Sequence, residues 1–170
     1  MPRVWLDGRM RPALDASTGQ VGADRAWSKG HTGKGVRVAV LDTGIDETHP
    51  DLAGAVVARK DFSGSGSTTD RHGHGTHVAS IVTGDGKVPG RAYKGVAPDA
   101  TLVNAKVLGD DGWGSESSII AGMEWAVEQK ARVLNLSLGG PPSDGTDPVS
   151  IALDRLAESS GALFVVAAGN

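Results

Sequence analysis

The chain has 170 residues, a formal net charge of −3, 39% hydrophobic and 22% charged residues. This composition suits one sizeable core and one domain, and a near-neutral balance without a basic run argues against a nucleic-acid or membrane-surface partner. Cysteine is absent, which excludes a disulfide framework, a thiolate nucleophile and a zinc–cysteine site.

Residues 1 to about 17 carry no strong period, and Met1-Pro2-Arg3-Val4-Trp5-Leu6-Asp7-Gly8 contains no signal-peptide core. No apolar stretch reaches the ~20 residues needed to cross a bilayer. Val36-Arg37-Val38-Ala39-Val40-Leu41 is an almost continuous apolar run that stops at Asp42-Thr43-Gly44. Its length and β-branched content predict a strand buried on both faces, as in a parallel sheet. The stretch from Asp46 to Pro50 is rich in turn residues, and Asp61 to Arg71 reads as a flexible surface loop.

Three imidazoles then fall within six residues, in His72-Gly73-His74-Gly75-Thr76-His77. The apolar run Val78, Ala79, Ile81, Val82 before Gly84 predicts a short buried helix, with His74 and His77 on one face near its start. A second strand is expected at Thr101 to Leu108. Ser115 is a suitable N-cap for a helix that places Ile119, Ile120, Met123, Ala126 and Val127 on one face. A third strand, Val133 to Leu138, ends at Gly139-Gly140-Pro141-Pro142. Asp147-Pro148 opens a further helix to about Ser159, closed by Gly161, and a last strand runs from Leu163 to Ala168 into Gly169-Asn170. Strands alternating with helices predict an α/β fold with a doubly wound parallel sheet.

In such folds ligands bind at the carboxyl ends of the strands. Asp42, Ser137 and Asn170 stand at three of those ends, and His74 opens a helix on the same edge. Asp42 by itself is equally a turn aspartate. The chain has one Asp-Thr-Gly, whereas an aspartic protease needs two such aspartates sharing a proton. The three histidines are also spaced to reach one zinc ion, with Asp42 or Asp70 completing the shell, but no glutamate base sits among them. His74 with Asp42 makes a base and its orienting carboxylate, a pair that serves a nucleophile. Ser137 lies before a Gly-Gly turn and reads as an edge for pairing an extended peptide. Asn170 is either a turn asparagine or an amide that donates to a developing oxyanion.

Four segments, Val-Ala-Val-Leu-Asp42-Thr-Gly-Ile-Asp, His74-Gly-Thr-His-Val-Ala-Ser, Asn135-Leu-Ser137-Leu-Gly-Gly and Ala-Ala-Gly-Asn170, resemble successive signatures of the subtilisin-like serine peptidases. They occur in that family's order over roughly Ser17 to the end. The resemblance implies a serine endopeptidase acting on polypeptides, secreted, with Asp42 as the triad carboxylate, His74 as general base and Asn170 as oxyanion donor. It further implies that Ser137, Leu138, Gly139 and Gly140 form the substrate strand. Val4 to Gly8 is similar to the end of an inhibitory propeptide. Residues 1–16 then form a propeptide end and 17–170 the N-terminal part of the peptidase domain, with self-cleavage near Leu14 to Ser17. The chemistry implied needs no cofactor. Asp51 matches a position that binds structural calcium in some members, and the segment Gly84 to Tyr93 adds no pattern that decides it.

The family's nucleophile lies in a Gly-Thr-Ser motif, which these residues do not contain. The expectation is therefore a truncated catalytic domain, inactive and poorly stable on its own. Two alternatives stay open: a non-catalytic protein that binds extended peptides along Ser137 to Gly140, and a histidine metal site.

Overall fold

The computed structural model describes residues 14–88, 93–140 and 142–168. Among them, five parallel strands form one sheet: β1 (Arg37–Asp42), β2 (Val56–Asp61), β3 (Thr101–Lys106), β4 (Val133–Leu136) and β5 (Leu163–Val166). Their spatial order is β2-β3-β1-β4-β5, so β1 lies at the centre between β3 and β4. Five α-helices accompany them among the described residues: α1 (Leu14–Gln20), α2 (Ala23–Ser28), α3 (His74–Thr83), α4 (Glu116–Glu128) and α5 (Pro148–Ser160).

Alternation along β1 sorts its side chains to two cores. Ala39 and Leu41 join Met123 and Ala126 of α4, whereas Val38 and Val40 pack with Val78 and Ala79 of α3. The sheet is thus covered on both faces at its centre, as the unbroken apolar run predicts. Continuing the same alternation, Asp42 follows Val38 and Val40 onto the α3 side. This period places a carboxylate beneath the first turn of the histidine-bearing helix.

The helix boundaries follow local chemistry. Ser115 Oγ accepts from the Ser118 amide at 3.1 Å, the expected N-cap of α4. Asp147 Oδ1 accepts from the Ser150 amide at 3.0 Å, Pro148 opens α5, and Gly161 closes it in the left-handed region at φ 64°. The strands are shorter than the apolar runs: β3 ends at Lys106, β4 at Leu136 and β5 at Val166. Beyond them the backbone must turn away, and Ser137 to Gly140 has no regular structure.

Elements that the sequence pattern did not announce are β2, α1 and α2. β2 is an edge strand with the burial-poor, cation-bearing run Val57-Ala58-Arg59-Lys60. Trp27 of α2 is tied to the rest of the domain by its indole N–H, which donates to the Val96 carbonyl at 2.9 Å. Within the expected surface loop 61–71 the chain is irregular, yet its end is anchored. Thr68 carbonyl accepts from Ile45 N at 3.2 Å and from the buried Asn104 Nδ2 at 3.1 Å. At the opposite side of the sheet, β5 leaves Leu163, Val165 and Val166 exposed, and α5 has no buried residue. Among the described residues no helix is long and apolar enough to cross a membrane.

Candidate active site

Asp42 ends β1 with its side chain fully buried, and His74 opens α3 with its side chain 42% exposed. The His74 Nδ1 lies 2.7 Å from Asp42 Oδ1 and 2.9 Å from Oδ2, across 32 positions of sequence. An ionised carboxylate can only accept, so the neutral imidazole carries its proton on Nδ1 and leaves Nε2 with a free lone pair. Nδ1 is locked to the protein while the side chain as a whole stays 42% exposed. This is the arrangement required of a general base with an orienting acid.

The backbone geometry makes this approach possible. Gly75, in the first turn of α3, lies so close to β1 that an added Cβ would sit 2.1 Å from the Gly44 carbonyl and 3.2 Å from Asp42. Gly44 itself adopts φ 104° and faces the Thr68 carbonyl at 2.5 Å from an ideal Cβ. Both positions require glycine, one for space and the other for space and conformation. The Thr43 amide donates to Asp42 Oδ1 at 2.7 Å, giving the buried carboxylate a second donor.

Lys106 is the cross-strand partner of Asp42 in the β1–β3 register and is wholly buried. Its ammonium donates to the Thr43 carbonyl and to Asp110 Oδ1, the latter at 2.9 Å. Asp110 in turn pairs with Arg71 at 3.5 Å. Sequence reasoning passed over Lys106, although a lysine among the apolar residues of β3 is the kind of signal that marks a paired buried charge. The sequence suggests Asp70 only as a metal ligand. Its carboxylate instead gathers hydrogen bonds from Thr43, Thr76 and the chain before α3. Burial alone would raise the Asp70 carboxyl, but hydrogen bonds from Thr76, Gly73 and Thr43 outweigh it and hold it below the usual carboxylate range.

The other predicted site residues take separate places. Ser137 follows β4, the strand beside β1, and its hydroxyl accepts from Asn135 Nδ2 at 2.9 Å. Leu138 packs against the α4-side core, while Gly139 and Gly140 are exposed. These residues share the carboxyl edge of the sheet with Asp42. Asn170 lies outside the described residues, as do 1–13 of the segment assigned to a propeptide; α1 runs across the 16/17 junction. His77 is exposed on α3, and His49 Nδ1 accepts from the Asp51 amide at 3.2 Å. Asp51 Oδ1 accepts from Val88 N at 2.9 Å, which tethers the segment after α3. Among the described residues no group of three or more His, Cys, Asp or Glu is placed to hold a metal ion.

The profile of the Subtilase family, peptidase group S8, matches residues 33–170. The chain belongs to the subtilase family. Relatives of this subtilase include the minor extracellular protease Vpr of Bacillus subtilis (strain 168), 42% identical over 94% of the chain and 20% of that protein. The major intracellular serine protease of the same organism is 42% identical over 87% of the chain and 47% of its own length. Subtilisin BL of Lederbergia lenta is 46% identical over 89% of the chain and 54% of its own length. The chain therefore spans from about a fifth to about half the length of these curated relatives.

Proposed function

We propose that this chain carries the base and orienting acid of a serine endopeptidase that cleaves polypeptides by acyl transfer. The observation that carries the reading is the 2.7 Å contact between His74 Nδ1 and the buried Asp42 carboxylate, with the rest of the ring accessible. His74 Nε2 takes the proton of a serine hydroxyl as that oxygen attacks the scissile carbonyl. Asp42 holds the imidazole in the required tautomer and stabilises the imidazolium that forms. His74 then returns the proton to the leaving amine, and water repeats the sequence on the acyl-enzyme.

The remaining roles belong to the same proposal, and membership of the family supports them. Asn170 donates its side-chain amide to the oxyanion, and Ser137 to Gly140 pair with the substrate backbone. The nucleophile belongs to a Gly-Thr-Ser motif that the 170 residues do not contain, so residues 1–170 alone are expected to be inactive. Residues 1–16 are read as the end of a propeptide and the setting as extracellular; the named relatives include one protease called extracellular and one called intracellular.

Peptide-anilide turnover tests this reading, comparing residues 1–170, the complete product of the gene, and that product with His74→Ala. Turnover by the complete product alone, reduced on the order of 10⁴- to 10⁶-fold by His74→Ala, supports it. Tight peptide binding with no turnover in any form leaves the non-catalytic peptide-binding protein instead.

A further inference from the structure

The first turn of α3 is capped in an unusual way. Its N-cap is Gly73, at φ 99°, which has no side chain to offer the orphan amides that follow. Those amides are satisfied from elsewhere in the chain. Gly75 N donates to Thr43 Oγ1 at 3.0 Å, and Thr76 N donates to Asp70 Oδ2 at 2.8 Å. The approach to the helix is held by the same carboxylate, because His72 N and Gly73 N donate to Asp70 Oδ1 at 2.9 and 2.8 Å.

Two hydroxyls extend this grip to the strand end. Thr43 Oγ1 donates to Asp70 Oδ1 at 2.9 Å while accepting from Gly75, and Thr76 Oγ1 donates to Asp70 Oδ2 at 2.6 Å while accepting from Asp46 N at 2.9 Å. Each hydroxyl has one proton, and both protons are spent on Asp70. One carboxylate thus receives five donors, with three on Oδ1 and two on Oδ2. The threonine next to Asp42 is one of them, and its amide also bonds Asp42 Oδ1.

We propose that Asp70 is a positioning residue for the Asp42–His74 pair, acting through Thr43 and the first turn of α3 to fix the ring of His74 against Asp42. The role rests on the reading of His74 as general base. It explains why an acid, rather than an amide of the same shape, stands here. Every neighbour points a hydrogen at position 70, so an asparagine would turn its NH₂ against donors on one side or the other. The anion also lies beside the start of α3, where the partial positive charge of the helix end favours it.

The test uses the complete gene product, read by peptide turnover and by the far-downfield proton resonance of His74 Nδ1–H. Asp70→Asn and Thr43→Val are expected to lower kcat about 10- to 100-fold with KM held, and to remove or shift the downfield resonance. Thr43→Ser, which keeps the hydroxyl, is expected to retain both. Should Asp70→Asn fail to fold, the contrast between Thr43→Val and Thr43→Ser decides. Wild-type kcat and resonance in Asp70→Asn, or in Thr43→Val when Asp70→Asn does not fold, overturn the positioning role while leaving the base in place. So does a change confined to KM. Absence of both turnover and resonance in the unmodified protein overturns the base itself, and the positioning role with it.

Discussion

The imidazole of His74 meets the carboxylate of Asp42 through Nδ1, 2.7 Å from one oxygen and 2.9 Å from the other, with Asp42 sealed from solvent and His74 not. Because the carboxylate sets the tautomer, Asp42→Asn should leave the fold intact and present the wrong ring nitrogen to the nucleophile. A kcat loss of about 10⁴-fold in the complete gene product is expected, the size that neutralising the aspartate of a Ser-His-Asp triad costs. Retained turnover in Asp42→Asn would mean that the pair is only structural.

Gly75→Ala is expected to damage the same contact from the backbone side. Its Cβ would overlap the Gly44 carbonyl at 2.1 Å, and neither backbone can yield without moving β1 from α3. Overpacking of this kind costs about 1–3 kcal/mol. Chemical denaturation should show that loss together with reduced turnover. A fully stable, fully active Gly75→Ala protein would show that the approach of α3 to β1 is looser than described.

Lys106→Met removes a buried cation whose partners differ in exposure. Asp110 is partly solvated and keeps Arg71, but the Thr43 carbonyl loses a donor. Leaving a buried acceptor unpaired costs about 1–3 kcal/mol. Urea unfolding measures it. Unchanged or raised stability would show that apolar packing replaces the ammonium without loss, as happens at some buried ion pairs.

Acid should loosen the start of α3. The Asp70 carboxyl titrates below its ordinary value in the folded protein. A depressed folded value means that its contribution is fully present above the unfolded value of about 3.9 and is lost as pH falls through the folded one. Urea midpoints should therefore hold from neutrality to about pH 5 and decline below about pH 4. Asp70→Asn, already lacking the anion, should decline less steeply. Identical acid slopes in the two proteins would remove Asp70 from this account.

Much of this was written in local pattern. The apolar run ending at Asp42, the cap residues Ser115 and Asp147, and the histidine-glycine turn at 72–77 specify four elements and both members of the Asp42–His74 pair. The pairing of Asp42 with His74 was also legible, because a strand end and a helix start on one sheet edge leave little choice. β2 was not, since an edge strand obtains its hydrogen bonds from β3 while its side chains stay wet and charged. Neither was the role of Asp70. Its donors come from Thr43, from the turn before α3 and from Thr76, and only the folded backbone brings them to one carboxylate. Lys106 was masked by the same long-range logic, its partners being a carbonyl just past the end of β1 and an acid in the following loop.

Fluorophosphonate labelling of the complete gene product, read by intact mass and peptide mapping, tests the central claim most directly. The account predicts one adduct, on a serine outside residues 1–170, in a protein whose peptides include Asp42 and His74, and it predicts that His74→Ala abolishes labelling. A folded gene product that takes no label, or one labelled equally well without His74, would contradict it.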